Sequence, residues 1–381
     1  MDMVWLYVDI VSTNCVFFVR LKIYPSNYER REDDLIEYLP WSRSIYQESL
    51  DRYKNGLFSS LDIELGGECN FHCIYCDSPE YEKKCQIPMD IINEYLSSGM
   101  IRWVYICGLG EPTFHNNYSR LVSLLKSCAR YGVRCSIFSN LSNLTPELIQ
   151  YIQDGILHVQ FKFDTREESL VKKLYGSQSP AEQLCNINTI KKLVKSDGET
   201  TNLAASIVPT KLNLHSILGV VEECLDANIY PLLGELECSG MGQVNYEKLC
   251  LHPEEALALK ETVEHLCGET YVIPVCPSVI SGIHIDYFGN ITVDKKTGLS
   301  CHWFWLDEPQ ISSLVHCSKC ESIDTIGKVI WNYRNGCMDN VVNFLNKGER
   351  VGMAFGGCGG NVTKLFKQYL EVHRRGVYDL P

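Results

Sequence analysis

Between residues 60 and 240 the chain alternates six times between a short apolar β-rich run and a longer segment of helical period. The runs are LDIELGG (61–67), WVYICGLG (103–110), RCSIFSN (134–140), HVQFKFD (158–164), NLAASIVP (202–209) and YPLLGELE (230–237). They are rich in Val, Ile, Leu and Phe, and Gly, Pro, Asn or Asp bound them. Helices with readable ends lie between them. The segment 118–132 stops at a glycine, and 145–155 has Thr145 as N-cap, Pro146 in its first turn and Gly155 past its end. Segments 180–198 and 214–228 follow the same logic. Strands separated by helices pair in parallel through right-handed crossovers. The expected fold is therefore α/β: a (β/α)6 unit over 59–240, either a partial, open barrel of the TIM type or a doubly wound sheet.

The flanks read differently. Residues 1–58 begin β-rich and continue into a polar, charged, helix-like stretch, an appended element packed on the barrel. Residues 241–381 form a small cysteine-rich α+β extension. It opens with a helix at 252–269 and a hairpin, IHIDYFGNITVD (283–294), turning at Phe288-Gly289-Asn290. Helical segments near 325–335, 339–347 and 361–375 close the chain, and no internal repeat or low-complexity tract is visible.

Nineteen cysteines are many for a chain of 381 residues, and their number is odd. That is not a disulfide framework of a small secreted domain. The apolar start lacks a basic leader and carries Asp9, and no uninterrupted apolar run is long enough to span a membrane. A reducing cytoplasm is expected, with cysteines as thiols or metal ligands. The net charge of −12 argues against nucleic acid as a partner.

In a (β/α) barrel, chemistry sits at the C-terminal ends of the strands. Polar and glycine-rich residues gather there in this chain. GGECNFHCIYCDS follows the first strand, GLGEP the second, Ser139-Asn140 the third, Asp164-Thr165 the fourth and ECSG (237–240) the sixth. Cys69, Cys73 and Cys76 form a C-x3-C-x2-C pattern. Thiolates suit iron–sulfur clusters and zinc. A [4Fe–4S] cube normally takes four cysteines, so three would leave one iron open. A zinc knuckle completed by Cys85 or His72 is the alternative.

This pattern after the first strand of a (β/α)6 barrel resembles the radical S-adenosylmethionine (radical SAM) superfamily. The resemblance implies a [4Fe–4S] cluster on Cys69, Cys73 and Cys76, with S-adenosylmethionine chelating the open iron. Reductive cleavage would give methionine and a 5′-deoxyadenosyl radical that abstracts hydrogen from a substrate. Tyr75 matches the family's aromatic position near the adenine. CGLGEPTFH (107–115) resembles its Gly-Gly-Glu-Pro motif, with Leu109 in place of one glycine. Gly108, Gly110, Glu111 and Pro112 are thereby implied to line the methionine end, Glu111 as an acceptor for its ammonium. Asn140 and Asp164 sit where the family places contacts to ribose and methionine. Ser206, Glu235, Lys162 and His115 are weaker candidates by position.

Six further cysteines, Cys276, Cys301, Cys317, Cys320, Cys337 and Cys358, lie in the C-terminal part. Four thiolates on a hairpin and a C-x2-C knuckle suffice for a four-cysteine cluster; structural zinc or plain thiols are the other readings. The layout is similar to the auxiliary-cluster extension called SPASM, or its shorter form, twitch. The stretch before Cys301 is longer than usual there, and Ile326 stands near the place of a further cysteine. One auxiliary [4Fe–4S] cluster on Cys276, Cys301, Cys317 and Cys320 is expected, with Cys337 and Cys358 as spares for a second cluster or as replacement ligands. Cys107, Cys128, Cys135, Cys185 and Cys224 read as small core residues. The aromatic residues of CHWFWLDEP (301–309) read as packing beside the cluster.

The resemblance leaves two substrate classes. One is a ribosomally made peptide matured by the enzyme, with residues 1–58 or a separate recognition protein engaging its leader by strand addition. The other is oxidation or epimerisation of a small polar metabolite such as an amino sugar, cyclitol or nucleoside. An epimerase would need a thiol hydrogen donor, with Cys238 and Cys358 as candidates. A flavodoxin- or ferredoxin-type electron donor is implied in either case. A scaffold that binds metal without chemistry is the non-enzyme reading.

Overall fold

The computed structural model describes residues 6–13, 16–23, 36–54, 57–76, 87–106, 110–234, 236, 240–267, 282–285 and 291–292. In chain order these hold β1 (Leu6–Thr13), β2 (Val16–Ile23), β3 (Glu37–Tyr38), α1 (Arg43–Lys54), β4 (Ser60–Ile63), α2 (Met89–Ser97), β5 (Trp103–Ile106) and α3 (His115–Tyr131). Next come β6 (Arg134–Ser139), α4 (Pro146–Gln153), β7 (Leu157–Lys162), α5 (Glu168–Tyr175), α6 (Pro180–Ile190), β8 (Thr200–Thr201), β9 (Leu203–Ile207) and α7 (Leu214–Asp226). Then follow β10 (Tyr230–Leu233), α8 (Gly240–Val244), α9 (Tyr246–Leu249), α10 (Pro253–Cys267), β11 (Gly282–Ile285) and β12 (Ile291–Thr292).

All six expected strands form, and they pair in parallel in the order β10-β9-β7-β6-β5-β4. The order never reverses, so there is no switch point of the doubly wound kind. The winding is that of an open (β/α) barrel. Leu61, Ile63, Val104, Ile106, Cys135, Ile137, Val159 and Phe161 share one face of the sheet and pack with α3, α4 and α7 into the main core. That core is what makes the strands read as apolar runs.

Helix ends follow their signals. Thr145 Oγ1 accepts from the Leu148 amide at 3.3 Å, and Gly132 and Gly155 take left-handed φ of 67° and 73°. Three readings needed correction. The helix expected over 180–198 ends at Ile190 and passes into a 3₁₀ turn over 191–193. Helices α2 and α5 lie in stretches to which no helix had been assigned. Cys185 is exposed, because α6 turns Gln183, Ile187 and Ile190 to the protein and leaves Cys185 on the other side. Cys128, Cys135 and Cys224 are buried as expected.

The segment after β2 packs on the barrel. Beside the 3₁₀ turn at 39–41, Tyr38 Oη lies 3.0 Å from Ser136 Oγ, and the Tyr105 hydroxyl donates to the Pro40 carbonyl at 2.9 Å. The Trp41 ring lies 5.9 Å from that of Phe138. The expected hairpin is present as β11 and β12, and β11 extends the barrel sheet by pairing in parallel with β4. Strands β11 and β12 therefore share a sheet with the barrel. The turn of that hairpin and helical segments beyond it lie outside the described residues.

Candidate active site

The strand ends meet around the cysteine loop. After β4 the chain runs through Gly66 to Cys76, and neighbouring elements hold its backbone. The His72 and Ile74 amides, on either side of Cys73, donate to the Tyr175 and Leu174 carbonyls at 2.9 Å each. Those carbonyls lie at the C-terminal end of α5, where a helix has no internal donors left to offer them. Met241 of α8 donates its amide to Cys76 O at 2.8 Å, and Asn245 Nδ2 donates to Ile74 O at 2.8 Å. On the other side, Glu68 O accepts from the Glu111 amide at 2.8 Å and from Asn117 Nδ2 at 2.9 Å.

Two glycines permit this approach. A Cβ on Gly110 would lie 2.3 Å from Gly66 O and 2.6 Å from Glu68 O, and its φ is +75°. A Cβ on Gly66 would lie 2.0 Å from Asn117 Oδ1. The loops after β4 and β5 are pressed together backbone to backbone, which only residues without Cβ allow.

The three thiols share one electrostatic neighbourhood. Burial pushes the Cys69 thiol up to about 11, with Glu111 and Cys76 adding to the rise. Burial also raises Cys73, against the nearby Lys162 ammonium. Soft donors, with Cys69 exposed and Cys73 and Cys76 half-buried, whose protons iron would displace, fit a thiolate-bound cluster. Among the described residues no three His, Cys, Asp or Glu side chains converge on a single-ion site. A cube asks for a wider spacing, since each thiolate meets its own iron corner.

Glu111 is buried and met by four donors. Its Oε1 accepts from the Thr113 amide (3.0 Å), Thr113 Oγ1 (2.7 Å) and Ser139 Oγ (2.7 Å), and its Oε2 from the Asn140 amide (2.6 Å). Burial pushes its pKa up and these donors pull it down. The carboxylate ties the end of β5 to the end of β6, with the protein's own donors on both oxygens. Asn140 reaches the cysteine loop, donating from Nδ2 to Asn70 Oδ1 at 3.0 Å. Leu141 follows it with φ of 57°, a left-handed turn unusual for leucine.

Asp164 is fully buried. The Tyr75 hydroxyl donates to its Oδ2, and the Val208 amide donates to Oδ1 at 2.8 Å. Lys162 holds its ammonium 4.6 Å from the Tyr75 ring centroid. It shares its sheet register with Ser206, at the top of the inner wall. Pro112 is buried and His115 exposed. Cys85, Cys107, Gly108, Glu235, Cys238, Cys276, Cys301, Cys317, Cys320, Cys337 and Cys358 lie outside the described residues, as does the 301–309 aromatic stretch. Asn117 and Thr113 were not anticipated, and Ser139 was noted only as a polar residue at a strand end; the small polar residues beside Glu111 and Asn140 were the signal.

The inner wall below the site is polar. Ser60, Ser136, His158 and Gln160 are buried there. Ser60 Oγ, Trp41 Nε1 and Gln160 Oε1 have no hydrogen-bond partner among the described residues, which in folded proteins marks places for ordered water.

Residues 63–222 match the family described as the Radical SAM superfamily. Over this segment the chain is similar to radical SAM domains. The family is one of enzymes, and it implies a [4Fe–4S] cluster and S-adenosylmethionine. Solved structures similar to the chain include SuiB of Streptococcus suis bound to S-adenosylmethionine, at 16% identity and a TM-score of 0.49, covering 72% of this chain and 73% of that one. SuiB bound to the precursor peptide SuiA matches at 16% identity and 0.48, covering 65% and 62%. The chain thus spans somewhat under two thirds of SuiB in that complex. The enzyme anSMEcpe with bound AdoMet and a Cp18Cys peptide matches at 14% identity and 0.45, covering 82% and 95%. No helix among the described residues is long and apolar enough to cross a membrane.

Proposed function

We propose that the radical SAM domain holds its cluster on Cys69, Cys73 and Cys76 and acts on a ribosomally made peptide. The observation that carries the first part is the loop itself. Three thiols lie on one backbone segment fixed from α3, α5, α8 and the loop after β5, so the donor set is arranged before any metal arrives. When bound, the cluster and S-adenosylmethionine supply one-electron cleavage of the sulfonium to a carbon-centred radical. The chain's own residues bind and orient. Gly110 keeps the wall beside the cluster loop free of side chain, and Asn140 braces Asn70. Lys162 supplies a cation beside Cys73, on the wall shared with Ser206. Glu111 aligns the two loops that face the ligand. The electron comes from a flavodoxin- or ferredoxin-type donor.

The peptide reading rests on β1 and β2. They form an antiparallel ladder of eight residues each, and among the described residues neither pairs with a third strand. A two-stranded sheet is marginal alone, and an added peptide strand would complete it. Auxiliary ligands at Cys276, Cys301, Cys317 and Cys320 would serve the same chemistry.

The test incubates the reconstituted full chain with reductant, S-adenosylmethionine and any short peptide found to be encoded beside its gene. Mass spectrometry is expected to show loss of hydrogen from the peptide, dependent on both additions. An untouched peptide together with oxidation of an amino sugar or nucleoside would overturn the peptide reading.

A further inference from the structure

We propose that Asp164 is a positioning residue: it fixes the Cys73–Cys76 half of the loop through the Tyr75 hydroxyl and touches no ligand. The proposal rests on the radical SAM reading of that loop.

Asp164 is 0% exposed, and both of its carboxylate oxygens are engaged. Oδ2 receives the Tyr75 hydroxyl and Oδ1 the Val208 amide at 2.8 Å. Its backbone is engaged as well. The Asp164 amide donates to Tyr175 Oη at 2.8 Å, and its carbonyl accepts from Asn213 Nδ2 at 3.3 Å. The carboxylate is thus turned to the protein's own donors.

The partners say what the residue does. Tyr75 lies between Cys73 and Cys76 in sequence, and the Cys76 amide closes a turn onto Cys73 O at 3.1 Å. Tyr175 ends α5, and its carbonyl accepts from the His72 amide. Asp164 therefore gathers two phenols, one from the loop and one from the helix end on which the loop is docked. Phe71 stacks on Tyr175 with ring centroids 5.9 Å apart, and Tyr75 meets Tyr175 edge-on at 6.5 Å. A buried polar hub of this kind specifies one geometry where an apolar core would accept several. Cys69 is outside its reach along the chain and is held from the opposite side, through Glu68 O. The loop is clamped in two halves, and perturbing one should spare the other.

The experiment compares Asp164→Asn, Tyr75→Phe and the double variant with the parent in the full chain. The first readout is hydrogen exchange of the metal-free protein. Loss of a buried hydrogen bond to a charged group should speed exchange at residues 71–76 by about tenfold or more in both single variants. The double variant should be no faster than the singles, and residues 110–113 should stay as protected as in the parent. The second readout is the electron paramagnetic resonance spectrum of the reduced, reconstituted protein, expected to broaden into several species in all three.

If Asp164→Asn alters the loop or the spectrum while Tyr75→Phe leaves both unchanged, the route through Tyr75 is wrong. Uniform loss of protection across the barrel would show a general stability role instead. A parent chain that takes up no iron would sink the proposed function, yet the exchange contrast in the metal-free protein would still decide this one.

Discussion

Replacing Glu111 by Gln asks what the buried carboxylate is for. The change is nearly isosteric and removes only charge and one acceptor atom. The amide oxygen can keep the side with Thr113 and Ser139, where three donors converge at 2.7–3.0 Å. The NH2 must then face the Asn140 amide, which donates to Oε2 at 2.6 Å in the parent. One charge-assisted bond is lost and a buried N–H is left opposing a donor. Hydrogen bonds to charged groups contribute about 1.5–3 kcal/mol, and an unsatisfied buried group costs about 1–3 kcal/mol. These overlap, so about 3 kcal/mol of local stability should go. The assay is hydrogen exchange at the Thr113 and Asn140 amides, where that loss means exchange faster by roughly a hundredfold. Protection equal to the parent's would refute the view that Glu111 ties β5 to β6.

Gly110→Ala should be worse for the site than for the fold. It adds a Cβ 2.3 Å from Gly66 O and asks alanine to adopt φ of +75°, so the two loops must part. Iron content after reconstitution should fall severalfold while the circular dichroism of the barrel persists; full iron loading would contradict the packing. His158 gives a pH test. Burial pushes its pKa from 6.5 down to about 3. Below pH 6.5 the unfolded chain therefore binds a proton that the folded chain refuses, and stability falls with acid by about 1.4 kcal/mol per unit. His158→Gln should flatten the loss between pH 7 and 5 by about 2 kcal/mol; parallel curves would mean that His158 does not titrate as burial requires.

Much of this fold was legible because the helix-covered face of parallel strands must be apolar, as Val104 and Val159 show, even where His158 and Gln160 line the other face. The cysteine spacing was legible because metal ligands are chosen by chemistry. What supports the ligands was not. The docking of His72 and Ile74 on the end of α5 is made by backbone carbonyls, which leave no mark on the identity of Leu174 or Tyr175. The pair Tyr75–Asp164 spans 89 positions, and nothing local distinguishes a buried hub from a ligand contact. Glu111 is expected to meet a ligand's ammonium, and the protein donors that also meet it left no local mark. The pairing of β11 with β4 was hidden because a short strand carries no record of its distant neighbour.

The central claim is that Cys69, Cys73 and Cys76 hold a cluster that serves S-adenosylmethionine. The direct measurement is 5′-deoxyadenosine formed by anaerobically reconstituted, chemically reduced protein, parent against Cys73→Ala, alongside iron and zinc analysis. The account predicts iron in the parent, about four atoms per cluster bound, and 5′-deoxyadenosine that the variant does not form. Zinc without iron in the parent, or 5′-deoxyadenosine from Cys73→Ala, would contradict it.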